Sequence, residues 1–313
     1  MQAPEIICTG EVLVDLISTE YGADFRSVDT YRRFAGGSPA NLAMNLAQLG
    51  RQVGLVATIG KDDIGALLRE ELRERGVDTR HLVAVSTPTT LILVTKSKAV
   101  SNFEAYRGAD TEITGVQFPD NYLSECKVFH TTAFALSRDP ARSSILSAAA
   151  RAVAAGARLS IDVNYAHKIW PDRLEALWVI NSYLSLGTEA GRESLVKCSE
   201  VDFVRLFDEP LDDREDAAER LLDLGAGVIC LTLGEEGCYV YTDGENFSLP
   251  ARPVEVQDTT GAGDAFWAGF LAAHLAGKDW KACAEAGRVV AEIKLTTVGP
   301  LRQELDLEEL LVQ

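Results

Sequence analysis

No window of the chain approaches the roughly 18 uninterrupted apolar residues that a membrane-spanning helix needs. Positive charge is scarce: 30 Lys and Arg against 47 Asp and Glu leave a net charge of −17, which disfavours nucleic acid and anionic membranes as partners. An anionic ligand would need local help. The six cysteines (Cys8, Cys126, Cys198, Cys230, Cys238, Cys283) form no Cys-x-x-Cys pair and have no histidine at metal spacing, so buried reduced thiols are expected. The four histidines (His81, His130, His167, His274) show no pairing either, and packed roles are expected for His130 and His274. Familiar phosphate signatures are missing. The nearest approach to a Walker A loop, "GLVATIGKD", has the wrong glycine spacing and an aspartate after its lysine. No Gly-x-Gly-x-x-Gly opens a helix after the first strand, which argues against a dinucleotide domain, and no Gly-x-Ser-x-Gly elbow is present.

What is present suits a folded enzyme-sized chain. With 313 residues, 47% of them hydrophobic, it can bury a sizeable core as one large α/β domain or two modest ones. The start, "MQAPEIICTGEVLVDL", has no basic segment before its apolar run and reads as a first strand, so a soluble cytoplasmic protein is expected.

Residues 6 to 17 read as one strand that bulges at Gly10-Glu11, with Asp15 standing inside an apolar run. Residues 18 to 35 have the loose alternation of a small exposed sheet. In "GGSPANLAMNLAQLG", Ser38 can cap a helix, Pro39 suits its first position and Gly50 can end it. "VGLVATIG" then predicts a strand, "KDDIGALLREELRERG" a helix, and "TTLILVTKS" and "FEAYRGAD" two strands joined by a turn. Further strands are read at "KVFHTTAF", "RLSIDVN", "VDFVRLF", "AGVICLTLG" and "GCYVYTDGENFSL". Helices are read at "PARSSILSAAARAVAAG", "REDAAERLLDLG", "DAFWAGFLAAHLAG" and "DWKACAEAGRVVAEIKL". Strands alternating with helices of this length predict βαβ units and a mainly parallel sheet covered on both faces.

Chemistry concentrates at "DTTGAGDAFWAGF". Phe266, Phe270, Leu271 and Leu275 fall on one helical face, which starts the helix near Ala262 to Asp264. The free N–H groups of Gly261, Ala262, Gly263 and Asp264 then form an anion site, aided by the helix dipole. A carboxylate beside a phosphate site is placed to orient and deprotonate an attacking hydroxyl. The plain alternative, an acidic residue in a first helical turn, stays open on these residues alone.

That stretch resembles the C-terminal signature of ribokinase-like carbohydrate kinases of the phosphofructokinase-B type. "GGSPANLAMNLAQLG" followed by "IGKDDIGALLREELRERGVDT" resembles the N-terminal signature, and "TLGEEG" resembles the nucleotide loop. The resemblance runs from about residue 6 to 300 and is closest in pattern to fructokinases and 2-keto-3-deoxygluconate kinases. It implies a three-layer α/β/α fold in a single domain over 1–313, with a mainly parallel central sheet and a small β lid formed by about 18–35 and 91–110. It implies Asp264 as catalytic base and the amides of Gly261, Ala262 and Gly263 as the anion hole. Thr232, Gly234 and Gly237 would border the nucleotide, and Asp15, Gly36, Gly37 and Asn41 would hold sugar hydroxyls. Satisfaction of Asp15 by backbone amides is the alternative there.

"FEAYRGAD" resembles a lid stretch that would put Tyr106 and Arg107 over the sugar, although an exposed strand charge is an equal reading of Arg107. "SIDVNYAHKIW" resembles "D-P-N-x-R-x-x-L-W", matching at Asp162, Asn164 and Trp170. Ala166 stands where that motif carries its arginine, which weakens a sugar-acid substrate more than fructose. "RLFDEP" stands where the family usually shows N-x-x-E, and Asp208 and Glu209 read better as a solvated acidic turn than as its replacement, so the metal ligands stay unassigned. The implied activity is ATP- and Mg²⁺-dependent phosphorylation of a primary hydroxyl of a hexose, fructose first. Alternatives are 2-keto-3-deoxygluconate, ribose or a nucleoside, and a non-catalytic sugar or nucleotide sensor on the same scaffold. A monovalent cation such as K⁺ and a homodimer through the lid are compatible with the resemblance.

Overall fold

A computed structural model of the chain describes residues 3–97, 102–297, 301 and 304–311. Its strands are β1 (Ile6–Thr9), β2 (Leu13–Ser18), β3 (Tyr31–Gly36), β4 (Val53–Gly60), β5 (Leu82–Val85), β6 (Leu91–Thr95) and β7 (Asn102–Tyr106), then β8 (Val128–Thr132), β9 (Arg158–Asp162), β10 (Leu195–Ser199), β11 (Val228–Thr232), β12 (Cys238–Tyr241) and β13 (Phe247–Leu249). The α-helices are α1 (Ser38–Gln48), α2 (Asp63–Glu74), α3 (Asp120–Leu123), α4 (Ala141–Ala155), α5 (Arg173–Glu189), α6 (Glu200–Phe207), α7 (Arg214–Leu222), α8 (Ala262–Leu275), α9 (Trp280–Leu295) and α10 (Leu307–Leu311).

A nine-stranded sheet in the order β13-β12-β11-β10-β9-β8-β1-β4-β5 forms the centre, parallel from β5 to β11, with β12 and β13 antiparallel. Successive side chains of a strand point to opposite faces, so Ile6 and Cys8 join one core while Ile7 joins the other. On the Ile7 side the sheet packs against α4, α5, α6 and α7 through Ile145, Ile180, Phe203 and Leu221. On the other side it packs against α1, α2, α8 and α9 through Met44, Leu68, Phe270 and Val290. The expected three-layer α/β/α fold with a mainly parallel central sheet is thus what the chain forms. A separate four-stranded sheet, order β3-β2-β6-β7, stands beside it.

Several local expectations give way. Residues 6 to 17 are not one bulged strand: the chain leaves the large sheet after Thr9 and enters the small one at Leu13, so Gly10-Glu11-Val12 is a crossing between sheets. The small sheet therefore begins ahead of residue 18, and after Ser18, which ends β2, only Tyr31 onward is strand in this stretch, preceded by a 3₁₀ turn at Phe25–Ser27. The turn expected between β6 and β7 falls partly outside the described residues. "VDFVRLF" is helical, belonging to α6, because Ser199 caps the Asp202 N–H and Phe203 and Leu206 take one buried face. The strand there is the preceding "LVKCS". α5 was not anticipated, and "GCYVYTDGENFSL" is a hairpin rather than one strand. All six cysteines are buried and unpaired, as expected. His130 is buried with its Nδ1 2.9 Å from Ser160 Oγ, and His274 stacks on Trp280.

Among the described residues no helix is long and apolar enough to cross a membrane.

Candidate active site

α8 is apolar all round and buried at every position from Ala265 to Ala273, so it is a central helix rather than one with a single apolar face. Its depth is set by Trp267, whose Nε1 donates to Ser160 Oγ on β9 at 3.0 Å. That registration brings the N-terminus of α8 to the carboxyl edge of the sheet, the edge at which open α/β sheets bind ligands. Gly261, left-handed at φ 76°, is the residue before the helix, and Ala262 is its first residue.

Asp264 lies in the first turn. Ser38 Oγ donates to its Oδ1 at 2.6 Å and Asn41 Nδ2 to its Oδ2 at 2.9 Å. Ser38 therefore does not cap α1. Gly37 does, at φ 98°, where a Cβ would strike the Glu11 carbonyl, and the freed hydroxyl serves Asp264 instead. Burial pushes the Asp264 carboxyl up to about 6, with the neighbouring Asp162 charge adding to it and the hydrogen bonds from Ser38 and Asn41 opposing. Asp15, from β2, faces the same space: burial first and the Asp264 charge second push it up to about 7. A Cβ at Gly36, on the paired strand β3, would run into the Asp15 carboxylate, so that glycine makes the room Asp15 occupies.

Asp15, Gly36, Asn41, Gly261 and Asp264 thus converge from β2, β3, α1 and α8, and a Cβ built on Gly261 would lie 3.9 Å from Asn41 Nδ2. Gly37, Ala262 and Gly263 adjoin these residues in the chain, and the other expected residues are dispersed. Tyr106 ends β7 and is 63% exposed. Arg107 is not an exposed strand charge: its side chain is 2% exposed, its Nη2 lies 2.5 Å from Asp110 Oδ2, its Nη1 donates to Ser137 Oγ at 2.6 Å and its guanidinium stacks over Phe134. Asn164 follows β9 in a left-handed conformation at φ 33°. Thr232 ends β11 opposite Ser199, and Gly234 and Gly237 bracket the turn into β12, two strands along the carboxyl edge from β9.

Sequence reading missed Lys197. It projects from β10 onto Asp162 of β9, with Nζ 2.8 Å from both carboxylate oxygens, and both residues are 4% exposed. A lysine inside the apolar run "LVKCS" was the available signal. It also misplaced the strand end that faces the site: "RLFDEP" is the far end of α6, where Asp208 is 83% exposed and Glu209 pairs with Arg220 at 2.9 Å. The end of β10 instead carries Ser199, whose hydroxyl donates to Asp202 in the first turn of α6 at 2.6 Å. Burial and the Asp162 charge raise Asp202 above the usual carboxylate range. Lys168, two residues after Ala166, donates to Asn102 Oδ1, Phe103 O and Glu104 Oε1 at 3.0, 2.8 and 2.6 Å, tying β7 of the small sheet to the loop after β9. Among the described residues no group of three or more His, Cys, Asp or Glu is placed to hold a metal ion.

Compared with known proteins, residues 3–305 match the profile described as pfkB family carbohydrate kinase. The chain is 34% identical to an ATP-dependent 6-phosphofructokinase of Thermoanaerobacterium thermosaccharolyticum, over 97% of this chain and 92% of the relative. It is 33% identical to fructokinase-1 of Oryza sativa subsp. japonica, over 85% of this chain and 81% of the relative. Its backbone is similar, at a TM-score of 0.83 and 27% identity, to an uncharacterized sugar kinase of Pyrococcus horikoshii solved in complex with ATP, covering 98% of this chain and 97% of that one.

Proposed function

The chain belongs to the pfkB family of carbohydrate kinases, and on that premise we propose that it transfers the γ-phosphoryl group of ATP to a primary hydroxyl of a hexose, fructose being the acceptor the site suits best. The observation that carries this reading is Asp264: a carboxylate one residue past Gly263 in the first turn of α8, oriented by Ser38 and Asn41 and facing Asp15.

Asp15 and Asn41, with the backbone at Gly36 and Gly37, hold the sugar hydroxyls. Asp264 aligns the attacking hydroxyl and takes its proton, a role that its carboxyl, titrating at about 6, can fill near neutral pH. The amides of Gly261 and Gly263 meet the charge on the transferring phosphoryl oxygens; the Ala262 N–H, expected free, instead donates to Thr259 O at 3.2 Å and would have to leave that turn to join them. Thr232, Gly234 and Gly237 border the nucleotide. The small sheet, with Tyr106 and Arg107 at the end of β7, acts as a lid that excludes water, and Asn164 completes the acceptor side. Mg²⁺ bound with ATP would offset phosphate charge. Such an ion would be held chiefly by phosphates and water, with Asp202 contributing through water.

Charge favours a neutral acceptor. Asp15 and Asp264 face the acceptor space, Arg107 is already paired with Asp110, and Ala166 offers no cation. A second reading, fructose 6-phosphate, draws on the 34% identical relative. It would require the exposed Arg32 and Arg33 of β3 to meet the phosphate. A coupled ADP-release assay over fructose, fructose 6-phosphate, 2-keto-3-deoxygluconate, ribose, inosine and adenosine decides. Highest kcat/KM on fructose supports the proposal, turnover confined to another acceptor overturns its substrate, and binding without ADP formation makes the protein a sensor.

A further inference from the structure

Two buried charges near Asp264, Lys197 and Asp162, lie not in the acceptor pocket but beneath it. Lys197 Nζ and Cε would each lie 3.2 Å from a Cβ built on Gly263, so the end of this side chain supports the backbone of the helix start from the sheet side. Its ammonium is shared between both oxygens of Asp162 at 2.8 Å. A buried ion pair contributes little net stability, and a hydrophobic pair of the same volume would serve the core as well. Its placement under the first turn of α8 therefore asks for another reason.

We propose that Lys197, paired with Asp162, is a positioning residue of the phosphoryl-transfer site: it holds the backbone at Gly263 from beneath and counters the carboxylates gathered around Asp264. This rests on the kinase reading above. The charged groups facing Asp264 are Asp162 from β9, Lys197 from β10, Asp15 from β2 and Lys294 from α9, while α1 contributes the neutral Ser38 and Asn41. Lys197 in turn faces Asp162, Asp202 of α6 and Asp264, whose combined charge outweighs burial and keeps it protonated. His130 of β8, also near it, is held neutral by burial and by the Lys197 charge, titrating at about 3. The pair thus presents a closed unit of no net charge. Opening it from either side leaves one uncompensated charge beside Asp264, of opposite sign in the two cases.

The test is the acid limb of the pH dependence of kcat/KM, measured on the wild type, Lys197→Met, Asp162→Asn and the double variant. Lys197→Met leaves Asp162 unopposed, so the limb should move to higher pH by about one unit, with kcat about tenfold or more below wild type and both KM values within about threefold. Asp162→Asn leaves the ammonium unopposed and should move the limb to lower pH. The double variant should fall between the two. A structural role alone would lower activity with the limb unmoved, and that result, or shifts of the same sign in both single variants, overturns the proposal. Should Lys197→Met not fold, Asp162→Asn, equal in size to the native residue, carries the test alone: a downward shift supports it and an unmoved limb refutes it. A wild-type protein without turnover on any acceptor removes the kinase reading and this inference with it, whereas an active wild type with unmoved limbs removes only the inference.

Discussion

Replacing Asp264 by Asn should cut turnover sharply and at the same time make the protein harder to unfold. The carboxyl is raised from 3.8 to about 6, first by burial and then by the Asp162 charge. Its ionised form is therefore less favourable in the folded chain than in the unfolded one by about 3 kcal/mol, taking about 1.4 kcal/mol per unit. Partial exposure of the site reduces this to about 2 kcal/mol. The sign follows from proton binding: between pH 3.8 and about 6 the folded state holds more proton, so stability falls as pH rises through this window and stays low above it. An asparagine avoids the penalty while keeping the shape. Urea or thermal unfolding at pH 7.5 should show a gain of about 2 kcal/mol, or about 3 °C in Tm for a chain of this size. The gain should shrink as pH is lowered toward 4. Turnover should fall by about 10²- to 10⁴-fold. A variant less stable than the wild type at pH 7.5, or a gain independent of pH, would refute the electrostatic reasoning. Near-normal kcat would refute the assignment of the base.

Gly36→Ala places a methyl against the Asp15 carboxylate and should raise the acceptor KM about tenfold, equivalent to about 1.4 kcal/mol, while leaving the KM for ATP in place. Steady-state kinetics with an unchanged acceptor KM would contradict the role given to Asp15. Trp267→Phe removes the 3.0 Å bond to Ser160 inside the core and should lower stability by about 1–3 kcal/mol, read as a lower urea midpoint at constant slope. Lys168→Met cuts three hydrogen bonds between the loop after β9 and β7, so limited proteolysis should reach β7 faster and the acceptor KM should rise a few-fold. Because Lys168 and Glu104 are 41% and 52% exposed, global stability should change by less than about 1 kcal/mol.

Wherever the sequence punctuates its elements strongly, its reading and the structure coincide. Proline and glycine bound α1, the largely apolar Val53–Gly60 is a strand buried at every position, and the start of α8 falls at Ala262. Short apolar runs misled, because "VDFVRLF" fits a strand by length while its buried Phe203 and Leu206 are spaced for a helix. Gly10-Glu11 looked like a bulge because a bulge and a crossing between sheets share the same local signature: a glycine between two apolar runs.

By itself the sequence determined the layer architecture and put forward the start of α8 and Asp264 as candidates, since each depends on local periodicity and on where a helix begins. Tertiary structure alone decided what surrounds that carboxylate. Ser38 is 226 residues away from Asp264 in the chain and Asn41 is 223, while Lys197 and Asp162 meet only because β9 and β10 pair in parallel. Hydrogen bonds and charges act through space at a few ångströms, and no spacing along the chain encodes which distant residues a fold brings within that range.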